Sequence, residues 1–558
     1  MLQNMLDYVR IALYTLLIVL GFFIFQAWEK DHPPVEPTAV TAQAESPSTD
    51  RFVPQPTSTT QSSASSQASS GTIAAVKSAP GQIVEVKTDV LDVSIDTRGG
   101  DIVETKLLQY PESLHSNTPL ILLNDDSTTR YVAESGLLGK QGPDTSQEQA
   151  LYSTPQSSYA LDPSANTLSV TLTWQNKDGL KVNKVYTFTR NSYEIGVRYD
   201  IANQSNLPWE GNLYTQLIRT NTPPASHGGF VSLATYFGAG ISSPEKRFEK
   251  ITFKQMQEKN FNQTFQGGWA AMIQHYFISA WIPKQDANST YYTRTQDGFY
   301  TIGMISPMIT AAPGANVSTE AKLYSGPAIG DELKKTAPWL QLTIDYGWFW
   351  FISLPIFWLM QTIYDLIGNW GWAIIFVTVI IKLIFYPLSA KSYRSMSSLK
   401  RLQPKIEALK ERYGDDKQKM TQATLDLYRQ EKVNPMSGCL PILIQIPVFI
   451  ALYWVLVESV QLRQAPFLLW IHDLSQQDPY YILPLLMGIS MFAQQRLNPP
   501  PPDPVQAKVM MAMPLLFTVL FAKFPAGLML YWFVNNSLSL LQQWHIMRRL
   551  DKATNGKK

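Results

Sequence analysis

The chain has 558 residues, room for a membrane bundle and a full soluble domain together. Its 46 Lys and Arg nearly balance 44 Asp and Glu, so the net charge of +2 points to no partner and only the distribution of charge informs. The single Cys439 excludes a disulfide framework and a multi-cysteine metal site, and no phosphate-binding loop, metal-spaced histidine set or nucleophile motif occurs, so neither a cofactor nor an enzymatic activity is expected.

In chain order, Arg10 precedes an apolar run from Ile11 to Trp28. The run is long for a signal peptide and ends in Phe25-Gln26-Ala27-Trp28 instead of small residues, which predicts an uncleaved transmembrane signal anchor over 1–28 with its N-terminus in the cytoplasm. Residues 29–80 are rich in Pro, Ser, Thr, Gln and Ala and read as a flexible external linker, because such a segment buries too little apolar surface to offset ordering. From 81 to 335 the pattern has period two: Leu91, Val93 and Ile95, then Leu168, Val170, Leu172 and Trp174, then Ile195, Val197, Tyr199 and Ile201. With turn signals at Gly99-Gly100 and Asp178-Gly179, this predicts a large antiparallel all-β sandwich. His275 is read as a packing or surface residue there. A sandwich of this size could hold a sugar, but no residue set supports such a site.

From Asp345 onward the chain reads as a membrane protein. Apolar segments fall at Trp348–Ile367, Trp370–Leu388, Leu440–Val457, Tyr480–Leu497, Val509–Phe524 and Leu528–Trp544. With the anchor, seven segments would leave one loop on the wrong side. The loop Lys391–Lys432 is crowded with Lys and Arg and belongs in the cytoplasm. If residues 29–344 lie outside, only one of the first two segments can cross. The first carries Pro355, Gln361, Asp365 and many aromatics, so residues 336–369 are expected to contain an amphipathic helix in the membrane interface. Six transmembrane helices remain: the anchor and about 370–388, 440–457, 480–497, 509–524 and 528–544, with a basic cytoplasmic tail at 549–558.

Lys382 lies inside WAIIFVTVIIKLIFYPL. A charge in a spanning helix costs about 3 kcal/mol or more on insertion scales. Such a lysine either snorkels to the nearer surface or faces a polar cavity. Thr378 falls one turn earlier on the same face. In the basic loop, Leu399, Leu402, Ile406, Leu409 and Tyr413 form one apolar stripe, Gly414-Asp415-Asp416 supplies a turn, and a cytoplasmic helical hairpin is expected over 391–433. Its charges, including Lys405, Lys410, Arg412 and Lys417, suit either a solvated face or an arm that docks on lipid head groups or ribosomal RNA.

Several runs carry a family resemblance. NPMSGCLPILIQIPVFIALYWVL (434–456), YPLSAKSYRSM (386–396), LQPKIEALKERYGDD (402–416), RQAPFLLWIHDLSQQDPYYILPLLMG (463–488) and FPAGLMLYWFVNN (524–536) resemble the YidC-type membrane protein insertases, and GGWAAMIQHYFISAWIP (267–283) resembles the periplasmic domain of the Gram-negative form. The resemblance implies a five-helix insertase core over 370–548, an extra N-terminal anchor, and a periplasmic β-supersandwich shaped like sugar mutarotases. It also implies a hydrophilic groove open to the cytoplasm and to lipid, with a positive residue at the position of Lys382, usually arginine, and with Gln495 and Trp532 in or near it. A bacterial inner-membrane protein with both termini cytoplasmic is expected. Its implied partners are nascent membrane proteins, the Sec translocon, the translating ribosome and membrane lipids, with no small-molecule substrate. Two other readings stand beside it: a secondary transporter using Lys382 as an ion or substrate site, and a membrane-anchored carbohydrate-binding protein.

Overall fold

The computed structural model describes residues 81–555 apart from 140, 146–147, 224–234, 414–415, 432, 434–439 and 499–503. The anchor and linker expected over 1–80, and Cys439, lie outside the described residues.

Alternation of buried and exposed side chains builds two large sheets. The eleven-stranded sheet runs Asn262–Gln266, Asn288–Gln296, Phe299–Ile305, Trp209–Thr220, Tyr131–Gly139, Asp101–Pro111, Leu91–Asp96, Ile83–Lys87 and Ser158–Ala160, with Ile309–Ala311 paired to Trp209–Thr220 and Pro119–Leu123 paired to Asp101–Pro111. The eight-stranded sheet runs Glu249–Ile251, Gly238–Ser242, Trp269–Gln274, Phe277–Pro283, Asn316–Pro327, Glu194–Asn203, Leu180–Thr189 and Thr167–Gln175. The strand 91–96 shows the rule: Leu91, Val93 and Ile95 are buried and Asp92, Ser94 and Asp96 half-exposed. The facing layers share one apolar core that includes Leu91, Val170, Leu172, Ile195, Trp269 and Trp281. Between the sheets, fully buried Lys184 donates to the Gly99 and Ser135 carbonyls at 2.9 and 2.8 Å. Burial pushes its pKa down to about 8 against the opposing pull of Asp101, Asp144 and Glu134.

The described helices are α1 Phe253–Glu258, α2 Gly330–Thr336, α3 Trp350–Ile367, α4 Trp370–Ile384, α5 Tyr386–Arg401, α6 Gln403–Tyr413, α7 Lys417–Gln430, α8 Leu440–Glu458, α9 Ile482–Leu497, α10 Pro504–Phe521 and α11 Ala526–Asn555. Helix α3 is long and apolar enough to cross a bilayer, yet it buries only Ser353, Ile356, Met360 and Ile363 against neighbours α4 and α8. Trp348 just before it is 92% exposed. The expected segment 370–388 is not one straight helix: α4 stops at Ile384 and α5 leaves it at 66°. Pro387 in the first turn of α5 explains the break, since proline has no N–H to continue the α4 ladder and is tolerated at a helix start. At the other end, α11 runs unbroken past the expected span into the basic tail.

The β-domain is fastened to the bundle. Arg463, in the α8–α9 connection, donates to the Pro111 and Glu112 carbonyls at 2.8 and 3.0 Å. His275 Nε2 meets the Val457 carbonyl of α8 at 2.9 Å, and Lys250 pairs with Asp345. His275 is therefore a packing residue of this joint.

Candidate functional site

Helices α4, α9 and α11 run parallel: Ile374 lies against Gly527 and Lys382 against Ser539, while Ser490 meets Asn536 and Asn498 meets Gln543. Their first turns are apolar and tightly packed: Trp370, Ala373, Ile374 and Val377 on α4, Leu483 and Met487 on α9, and Ala526, Leu528, Met529, Leu530 and Tyr531 on α11 are all buried in one cluster. A glycine lets α9 approach α10 closely as well. A Cβ at Gly488 would come within 2.0 Å of Thr518 Oγ1 on α10.

Further along the same three helices the character changes. Thr378 on α4, Ser490 on α9, and Asn535, Asn536, Ser539 and Gln543 on α11 are all buried, and Lys382 is half-buried beside them. Trp532, Asn536, Ser539 and Gln543 follow each other at spacings of four, three and four, so one face of α11 carries the whole series. Asn536 Nδ2 donates to Ser490 Oγ at 3.2 Å, and Gln543 Nε2 donates to Asn498 Oδ1 at 3.1 Å. Gln543 Oε1 and Gln542 Nε2 are buried and have no hydrogen-bond partner among the described residues. The result is a polar seam below an apolar plug.

Lys382 Nζ donates to Ser539 Oγ at 2.6 Å. Among the described residues no carboxylate lies within ion-pair distance of it. Thr378, expected on the same face, is buried and gives its hydroxyl proton to the Ile374 carbonyl at 2.6 Å, so it is satisfied by its own helix. Trp532 sits at the border of plug and seam, with its ring centroid 4.6 Å from that of Phe449 on α8 and 4.5 Å from that of Phe521 on α10. Gln495 is half-exposed on the last turn of α9, one turn before Asn498. Sequence reasoning missed Ser490, Asn535, Asn536, Ser539 and Gln543. Their helical spacing inside an otherwise apolar segment is the signal that could have found them.

The basic loop forms α6 and α7, which pack on each other and reach α5 through Leu402. Leu402, Ile406, Leu409 and Tyr413 are the less exposed positions of the first arm. Lys405, Lys410 and Arg412 are exposed on α6, with Lys405 paired to Glu431 at 2.5 Å and Arg412 lying 5.6 Å from the Tyr413 ring, and Lys417 opens α7.

Residues 83–359 match the family model described as the YidC periplasmic domain, and residues 362–553 match the one described as 60Kd inner membrane protein. The chain is 48% identical over 560 residues to a membrane protein insertase YidC from Legionella pneumophila (strain Corby), covering 99% of both chains. It is 45% identical over 550 residues to one from Coxiella burnetii (strain Dugway 5J108-111), covering 97% of this chain and 96% of the relative. A solved structure of an active YidC insertase with its first transmembrane domain resolved is 19% identical, with a TM-score of 0.37, covering 83% of this chain and 94% of that one. With such identity to its relatives along nearly its entire length, the chain belongs to the YidC family of membrane protein insertases.

Proposed function

We propose that this protein inserts nascent membrane proteins into the bacterial inner membrane, and that the seam around Lys382 is the groove through which polar client segments pass. One observation carries the assignment to this site: an ammonium on an apolar helix, held by a hydroxyl and uncompensated by any described carboxylate, beside a series of buried amides and hydroxyls. A permanent ion pair would quench such a charge, whereas an unpaired one attracts an acidic segment. The apolar plug closes the outer end, and the seam opens toward the cytoplasm, where the client emerges. A segment in the seam crosses a shorter stretch of hydrocarbon. Burial of the client's apolar helix and the membrane potential acting on its acidic residues then supply the drive, with no nucleotide needed.

In this reading the β-domain lies in the periplasm, both termini are cytoplasmic, and α3 lies in the outer interface. Lys405, Lys410, Arg412 and Lys417 on the cytoplasmic hairpin recruit translating ribosomes or anionic lipid, and the Sec translocon is a further partner. Thr378, Gln495 and Trp532 line or border the client path. A photo-reactive amino acid placed at Gln495, Trp532 or Asn536 in the full chain should crosslink a stalled nascent membrane protein, while one at exposed Leu207 of the β-domain should not. Equal crosslinking at all four positions would refute the groove.

A further inference from the structure

Ser539 lies outside the runs that carry the family resemblance, yet it meets the charged Lys382. Its hydroxyl donates to the Asn535 carbonyl, one turn back on α11, at 2.8 Å. That commitment uses its only proton, so toward Lys382 it can only accept, and it does so at 2.6 Å. Lys382 stands two residues before α4 ends and the chain turns through 66°. Its flexible four-carbon stem would otherwise let the ammonium swing to the nearer water. Ser539 is 3% exposed and sits on a helix packed against both α4 and α5, so its oxygen is a fixed point.

We infer that Ser539 is a positioning residue that holds the Lys382 ammonium over the seam without neutralising it. This rests on the groove reading above. A carboxylate at 539 would hold the lysine equally well but would cancel the charge that the client's acidic segment needs. A neutral acceptor whose own proton is tied to the backbone orients the cation and leaves its charge free. Threonine can serve the same purpose, since it too can bond the carbonyl four residues back.

The test uses the full-length protein in membranes and two single-span reporters that differ only in having two aspartates or two asparagines in the external segment. Ser539→Ala should slow insertion of the aspartate reporter roughly tenfold, the lower end of what one hydrogen bond to a charged group is worth, and slow the asparagine reporter clearly less. Ser539→Thr should restore the parental rate, and Ser539→Asp should be as poor as Lys382→Ala on the aspartate reporter. The double variant Lys382→Ala, Ser539→Ala should be no worse than Lys382→Ala alone. If Ser539→Ala slows both reporters equally, or adds its full effect to that of Lys382→Ala, Ser539 is a packing residue and the inference fails while the groove stands. If Lys382→Ala leaves the aspartate reporter at the parental rate, the groove reading fails and takes this inference with it.

Discussion

Reversing the charge at position 382 is the sharpest perturbation of the proposed groove. Lys382 has no described counter-ion, so its full charge faces whatever enters the seam. A client carboxylate passing about 8 Å away, in an effective dielectric near 20, interacts with it by about 2 kcal/mol, which corresponds to roughly 30-fold in rate. Lys382→Ala removes that attraction, and Lys382→Glu replaces it with repulsion of similar size, a swing of about 4 kcal/mol. Lys382→Arg keeps the charge and should insert acidic clients at close to the parental rate. The assay is protease protection of labelled reporters with zero, one or two external aspartates, read in a strain depleted of its own insertase and supplied with each variant. The defect should grow with each aspartate and be greatest for Lys382→Glu. Equal insertion of the two-aspartate reporter by Lys382→Glu and the parent would refute the reasoning, since no electrostatic groove could be blind to a change of sign.

Three further outcomes are expected. Single cysteines replacing Trp348 and Leu366, which are 92% and 82% exposed at the two ends of α3, should both react from the periplasmic side in a Cys439→Ser background, and labelling of either from the cytoplasm would make α3 a span. Gly347 is unsuited to this experiment because its φ is +66° and a Cβ there would meet the Trp454 ring at 2.7 Å. Changing Lys405, Lys410, Arg412 and Lys417 together to glutamine should leave membrane assembly intact, because the one described ion pair among them is exposed and contributes little, but should weaken co-sedimentation with ribosomes or anionic vesicles. The parental binding should fall with added salt, and a neutralised hairpin that binds as well as the parent at every salt concentration would end the recruiting role. Burial pushes His275 down to about 4, with the Val457 carbonyl opposing and Arg463 adding to the fall. A base whose folded pKa is depressed stabilises above its unfolded value near 6.5, and that stability is lost as pH falls toward 4, by at most about 3 kcal/mol. His275→Gln should flatten the pH dependence of the full chain's thermal unfolding between 6.5 and 4, and an unchanged slope would remove His275 as its cause.

Much of this protein is written in local patterns. Period-two runs such as Leu91-Val93-Ile95 specify strands with one buried face because a strand's side chains alternate whatever it pairs with, and they are found as such. The cost of a charge in hydrocarbon singles out Lys382 from its neighbours alone, and the long ordered motifs from 386 to 536 mark the family. The break after Ile384 was also available in Pro387, although hydropathy drew the segment through it. What periodicity could not supply was the pairing of distant segments. The two sheets interleave strands far apart in sequence, and the closing of Lys184 over Gly99 and Ser135 depends on that arrangement. The site is the clearer case. Lys382 and Ser539 are separated by 157 positions, and the seam joins α4, α9 and α11. Whether a lysine snorkels or is held, and whether its partner is a carboxylate or a hydroxyl, is decided by which helix packs beside it. That is a property of the assembled bundle, because a hydrogen bond needs its two atoms within about 3 Å and no local pattern brings them there.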